Sequence, residues 1–349
     1  MPGAAPVRMK TAAALAGSVN RRRFTEPARA RSAVVGRSAG GRFHCRSSQV
    51  AVFRNRFWRE ETGMLYSVVV LFDPQRTGSN RLHSSRKTAP LRVMTYNIHR
   101  WAGEDGRLDV GRLAQVIQMA RSDVIGLNEV LHPVMIGSRN YEPLRELADR
   151  LGMVFAFGPS GWIDRNGPGW RGPAGNALLS RYPLAGVVNT LLPGLPGAKQ
   201  RSMLGATLSS GPMAGLSAFV THLDHVFEGT RLLQIRAALD RLAQHGPHFL
   251  CGDFNTPGFQ GPHSRRFLPP VLRSMRRAGY LDAFDALGKG AGHTFPARSP
   301  LFRIDFLFFP MRWAHGLHLA QTLDGAVTRR ASDHRPVVAE WSWPETAAA

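Results

Sequence analysis

Between Leu91 and Trp341 the chain breaks into short apolar runs, and most of them stop at a polar or charged residue. LRVMTYN (91–97) stops at Asn97, DVIGLNE (123–129) at Glu129, the run 216–222 at His222, and HFLCGD (248–253) at Asp253. Asn255 stands two residues beyond Asp253, in CGDFNTP (251–257). RIDFLFF (303–309) opens with Arg303 and Asp305, and SDHRP (332–336) sets Asp333 and His334 before the final run 335–341. Runs this short are strands rather than helices. Others fall at 154–157, 176–180, 186–192 and 203–208. Helical spacing is confined to four places. Leu113, Val116, Ile117 and Ala120 mark one helix, and Tyr141, Leu144, Leu147, Ala148 and Leu151 a second. Thr230 is placed to cap a third, which carries Leu232, Leu233, Leu239 and Leu242, and a basic fourth lies near 270–278. Strands outnumber helices, and short turns join many of them. The pattern predicts an α/β fold of two packed sheets with helices outside, one domain of about 260 residues.

Charge divides the chain differently. It has 349 residues and a formal charge of +21, but residues 1–90 hold 17 of the 45 basic residues and only 4 of the 24 acidic ones. The whole-chain charge therefore says little about the partner of the remainder. Residues 1–88 are rich in Arg, Ser, Ala and Gly. They read as a basic tail without packed structure, as an extension from an early start (Met64 or Met94 could serve instead), or as a targeting segment. The expected division is an extension over 1–88 and a catalytic domain over 89–344. No apolar run approaches the roughly 18 residues of a membrane span; MLYSVVVLF (64–72) is half that. Cys45 and Cys251 make no disulfide framework, and Cys251 reads as a small buried hydrophobe. A cytoplasmic monomer is expected.

The polar residues at the run ends have a definable chemistry. Side chains at i and i+2 of an extended segment point the same way, so Asp253 and Asn255 aim at one place. Glu129, Asp253 and Asp333 are hard oxygen ligands suited to Mg²⁺, with Mn²⁺ as a substitute. His222 and His334 can move protons near neutral pH. The amides of Asn97 and Asn255 can bond a phosphoryl oxygen or orient a water without adding charge. Taken singly, each residue is an ordinary turn residue, and Asp305 could simply pair with Arg303. Together they are equipment for metal-assisted hydrolysis of a phosphoester.

The set resembles the endonuclease/exonuclease/phosphatase superfamily, the DNase I-like fold. The stretches that carry the resemblance are RVMTYNIH (92–99), DVIGLNEV (123–130), GNALLSRYPL (175–184), THLDH (221–225) with Gln234 downstream, CGDFNTP (251–257), RIDFLFF (303–309) and SDHRPVVAE (332–340). They occur in the family's order, and the segment around HTFPARSPLFRIDFLFF is similar to its bacterial metal-dependent hydrolase branch. The resemblance implies a four-layer α/β sandwich, two mainly antiparallel sheets flanked by helices. It implies Glu129 as the metal carboxylate with Asn97 beside it, and Asp333 as an acid of the metal site. Asp253 would orient or deprotonate the attacking water, and Asn255 would hold the scissile phosphate. His334 would contact the phosphate, polarised by Asp305, and His222 would assist the leaving group. Asn176, Arg201 and Arg303 are assigned to substrate binding. Two departures stand out: the second motif reads Leu127-Asn128-Glu129 where the family commonly has Leu-Gln-Glu, and Asn176 stands near where nucleases place an acid to partner the leaving-group histidine.

Two features bear on substrate. Ser160 to Gly175 reads as a Gly/Pro-rich loop with Trp162, Trp170, Arg165 and Arg171, able to stack on bases or sit at a lipid interface. Arg265, Arg266, Arg273, Arg276 and Arg277 form a basic patch that could follow phosphates or touch an anionic membrane surface. The expected partner is a phosphoester, in nucleic acid or phospholipid. A basic binding module without activity is the alternative, and the full acid, amide and histidine set speaks against it.

Overall fold

The computed structural model describes residues 50–53, 68–71, 90–166, 169–258 and 268–343. Strands and helices are numbered in chain order. The first sheet runs, in spatial order, β1 (Val50–Phe53), β2 (Val68–Leu71), β7 (Val154–Asn166), β8 (Trp170–Ser180), β4 (Val124–Leu131), β3 (Leu91–Asn97), β16 (Val337–Trp341) and β15 (Leu317–Thr322). A small hairpin, β5 (Val134–Ile136) and β6 (Arg139–Tyr141), joins it through β8. The second sheet runs β13 (Tyr280–Asp282), β14 (Arg303–Pro310), β12 (His248–Gly258), β11 (Ser217–His222), β10 (Arg201–Leu208) and β9 (Leu184–Leu192). Each sheet is antiparallel but for one neighbouring pair: β3 with β4, and β11 with β12.

The layers follow from which face of each strand is apolar. Between the sheets lies one core, with Val93, Val124, Leu178 and Ala339 from the first sheet against Leu204, Val220, Cys251 and Leu307 from the second. The sheets come so close at Gly126 that a Cβ there would lie 2.3 Å from the Cys251 sulfur. The outer face of the first sheet is covered by α1 (Val110–Ala120) and α2 (Pro143–Leu151), which bury Leu113, Val116, Ile117, Leu144 and Leu147 against Ile125, Leu127 and Phe155. The outer face of the second is covered by α3 (Glu228–Leu242) and α4 (Pro270–Arg277), through Ile235, Ala238, Leu242, Val271 and Met275 on Leu250, Phe254 and Phe308. The result is helix, sheet, sheet, helix, the four-layer sandwich expected. Two short helices, α5 (Ala283–Leu287) and α6 (Ala326–Ala331), complete the described α-helices, and two 3-10 turns fall at His99–Trp101 and Met311–Gly316.

Several local expectations change. The segment 160–175 is not a loop: it forms the paired ends of β7 and β8, with Ile163 opposite Gly172. Trp170 is buried in the core under the outer helices, so it cannot stack on a ligand. Thr230 lies inside α3 rather than capping it; the carboxylate of Asp224 accepts from the amides of Val226 and Phe227 just ahead of the helix. Within the stretch read as lacking packed structure, β1 pairs with β2, and β2 pairs with β7 from Val69↔Phe157 to Leu71↔Phe155, so the sheet extends past residue 89. The rest of 1–89 lies outside the described residues, as do Arg265 and Arg266 of the basic patch. Among the described residues no helix is long and apolar enough to cross a membrane.

Candidate active site

The two parallel pairs bring the polar run ends to one edge of the sandwich. In the second sheet His222 is opposite Asp253 and Asp253 opposite Asp305, so three titratable groups stand in one row across three strands. In the first sheet Asn97 is opposite Asn128, and the β4 ladder is then interrupted before Val130, at Glu129. Glu129 and Asn255 have positive φ, 55° and 48°. Non-glycine residues seldom adopt that region, and where they do the surroundings impose it, often at functional sites.

The side chains interlock. Asn97 Nδ2 donates to Asp253 Oδ2 at 3.0 Å and lies 3.5 Å from Glu129 Oε1 and 3.4 Å from His334 Nε2. His334 Nδ1 is 2.8 Å from Asp305 Oδ2, both fully inside, with Phe295 packed on the imidazole. Ser332 fixes this corner, since its hydroxyl donates to the Asn97 carbonyl and accepts from the His334 amide. Across the row, Asn255 Nδ2 is 3.0 Å from His222 Nε2 and donates to the Leu223 carbonyl, while the Asn255 amide donates to Asp253 Oδ1.

The electrostatics separate the histidines. Burial alone would lower His334, but the Asp305 carboxylate in contact, with Asp253 and Asp333 around it, raises it to about 10. Burial and then Arg201 push His222 well below its ordinary value, so it is neutral, with Nε2 as an acceptor facing the Asn255 amide. Burial, and then the Asp305 charge, push Asp253 up to about 7. Burial also opposes the charge of Glu129; with His222 neutral, the Arg100 guanidinium at 2.7 Å is the cation that holds its carboxyl below the usual range.

Asp253, Asp305 and His334 bring ligand atoms within 4.8 Å of one another, a cluster that could hold a metal ion. Asp305 Oδ1 is buried there without a hydrogen-bond partner. Glu129 and Asn97 add oxygens to the same edge, and among the described residues no cysteine faces it; the donor set fits a hard divalent cation. Asp333 stands outside the triplet, with its side chain 27% exposed and 3.8 Å from His99 Nδ1.

Three assignments to substrate fare differently. Arg201 carries its charge beside Glu129, Asp253 and Asp224, and its guanidinium lies 3.3 Å from His225 Nδ1. Asn176 is buried away from any ligand: it accepts from Asn128 and donates to the Ser202 carbonyl, so it supports the site from behind. Arg303 is a correction. It is 2% exposed, ion-paired with Asp282 and packed on the rings of Phe284 and Phe306, so Asp305 does not pair with it and it has no face for a substrate.

Asn128 is the residue the sequence reading undervalued. Its amide donates to Asn176 Oδ1 and the Thr221 carbonyl, and its Oδ1 accepts from the Asp253 amide. It thus ties β4 of one sheet to β11 and β12 of the other, directly behind the site. Arg100, Ser332 and Thr294, whose hydroxyl accepts from the Ile304 and Asp305 amides, were missed as well.

The comparisons with known proteins bear on the family and the fold. A family model described as Endonuclease/Exonuclease/phosphatase family matches residues 94–334. The chain belongs to that family. Among solved structures, an endonuclease/exonuclease/phosphatase from Beutenbergia cavernae is 27% identical, over 73% of this chain and 72% of that one, with a TM-score of 0.61. The human Nocturnin catalytic domain with bound sulfate is 23% identical over 73% of this chain and 94% of its own, with a TM-score of 0.55. The 3′ phosphatase NExo from Neisseria, bound to a product DNA hairpin, is 20% identical over 72% and 100%, with a TM-score of 0.51. The last two likenesses concern the fold. No curated protein matches the sequence.

Proposed function

We propose that the protein is a Mg²⁺-dependent hydrolase of phosphodiester bonds, with nucleic acid as the leading substrate class. The observation that carries this reading is the row His222, Asp253, Asp305, with His334 paired to Asp305 and Asn97 and Glu129 facing it. Glu129 and Asn97 would hold the ion, with Asp333 at the margin; when bound, it supplies a Lewis acid for the phosphoryl oxygen. Asp253, raised to about 7, is matched to take a proton from the attacking water near neutral pH. The Asn255 amide orients the group between Asp253 and His222. His334, kept protonated by Asp305, presents its Nε2 proton to the developing negative charge, and Arg201 adds a second cation. Burial removes Trp170 from both a base-stacking and a lipid role, so the choice of nucleic acid over phospholipid rests on the fold neighbours. NExo, a fold neighbour seen with product DNA, is in line with that choice.

A screen of plasmid DNA, abasic-site DNA, RNA, phospholipid vesicles and a chromogenic phosphodiester, with Mg²⁺ and with chelator, tests the reading. Hydrolysis should require the ion, and Asp253→Asn should lower the rate about 10²–10⁴-fold. Turnover that survives both chelation and Asp253→Asn would sink it.

A further inference from the structure

The chain after Asn97 makes an unusual turn. His99, Arg100 and Trp101 have φ of 46°, 55° and 71°, three successive non-glycine residues in the left-handed region. Such a run is sterically costly, most of all for tryptophan, and needs an anchor. The anchor is Trp101 itself, 1% exposed in the core, with its Nε1 donating to the Leu131 carbonyl at 2.7 Å.

What the turn holds in place is a pair of basic residues over the candidate ion ligands. Arg100 Nε donates to Glu129 Oε2 at 2.7 Å. The His99 amide donates to Asn97 Oδ1 at 3.1 Å, and the His99 ring lies 3.8 Å from Asp333. Two of the three residues that the resemblance assigns to the metal, Glu129 and Asn97, are therefore hydrogen-bonded by consecutive residues of one strained turn, and the third, Asp333, lies near its His99 ring. An oxygen lone pair that receives a guanidinium or amide proton is less available to a cation, and the positive charge of Arg100 repels one directly.

We propose that Arg100 stands in for the divalent ion at Glu129: it balances the carboxylate while the site is empty, and the ion displaces it on binding. The inference rests on the reading of Glu129 as an ion ligand. Arg100 is held by the turn next to Asn97 and Glu129, and once displaced from Glu129 its guanidinium remains beside the site as a charge for the substrate phosphate. The turn thus trades ion affinity for a loaded site that already carries its anion-binding group.

Isothermal titration of the metal-free protein with Mg²⁺ alone tests this without any substrate. Arg100→Ala should bind Mg²⁺ about tenfold more tightly, about 1.4 kcal/mol. Arg100→Lys keeps the charge without the fork and should fall between the two. In the presence of Mg²⁺, inorganic phosphate should bind Arg100→Ala more weakly than it binds the unaltered protein. Circular dichroism melting identifies a variant that has failed to fold, and Arg100→Gln, which retains a hydrogen-bonding head without charge, then replaces it. Unchanged or weaker Mg²⁺ binding in the charge-free variants would overturn the inference, since Arg100 would then be orienting Glu129 for the ion. Glu129→Gln separates the two failures. If it leaves Mg²⁺ binding unchanged, the ligand reading is wrong. If it abolishes binding while the loss of Arg100 tightens nothing, only the displacement is wrong.

Discussion

His334 sits between two carboxylates, with Asp305 in contact at Nδ1 and Asp253 3.8 Å from Nε2. Its folded pKa of about 10 lies above the ordinary 6.5. A group that binds its proton more tightly when folded adds stability that is fully present below the unfolded pKa and is lost as pH rises through the folded one. Asp253, raised to about 7, acts in the opposite sense for a carboxylate, because its ionisation opposes folding. That opposition grows from the unfolded pKa and levels off above pH 7, which leaves the interval from pH 7 to 10 to His334. The melting temperature of the metal-free protein should therefore fall across that interval, and fall less in Asp305→Asn. A flat profile in the unaltered protein would contradict the pairing. In the same variant the His334 imidazole proton, followed by NMR, should be lost at a lower pH.

At the scale of the strand, Asn128 and Gly252 decide whether the two sheets can meet behind the site. Gly252 has φ of 142°, and a Cβ there would lie 1.8 Å from the Thr221 carbonyl oxygen, so no other residue fits between β11 and β12. Asn128→Ala would take the Asn128 partner from the Asp253 amide, the Thr221 carbonyl and Asn176 Oδ1. Its cost should be about 2–4 kcal/mol in urea unfolding, because buried groups left unpaired forfeit their solvation. Asn128→Gln restores the amide more usual in the family but adds a methylene at a fully buried position, and should also destabilise, by about 1–3 kcal/mol. A neutral result for both would mean that the bridge does not hold the sheets. These two positions also show what a sequence can and cannot carry. Asn97, Glu129, His222, Asp253 and Asp305 were legible because each interrupts or bounds an apolar run, where burial makes a polar group expensive unless it is used. Asn128 lies inside such a run, and its role exists only once another sheet is packed on it. Arg303 misled for the same reason: it shares a strand with Asp305, but its partner, Asp282, comes from the neighbouring strand β13. Arg100 gave no signal except adjacency to Asn97.

For the molecule as a whole, the described sheet does not stop where the composition changes. β2 covers the edge of β7 at Phe155, Ala156 and Phe157. A chain beginning at residue 89 should keep the site, which lies at the far side of β8 and β4, and should still hydrolyse substrate. It would also expose an unpaired strand edge, a template for other chains. Light scattering should show it self-associating at concentrations where a chain beginning at residue 47 does not; equal behaviour would mean that β1 and β2 shield nothing. The basic helix α4 contributes Arg273, Arg276 and Arg277 on a layer that packs against the second sheet, and Arg273 is turned to the Leu268 carbonyl.

The strand order also has a consequence in time. β16, the last described strand, is not added at an edge but is seated between β3 and β15, and His334 lies just ahead of it. The first sheet therefore cannot close, and the Asp305 carboxylate cannot meet its imidazole, until the chain has been made through residue 341. Up to that point a growing chain carries Asn97, Glu129 and Asp253 as polar residues whose common site is incomplete. The candidate site is completed in one step, and a chain truncated before residue 334 lacks the imidazole that Asp305 holds.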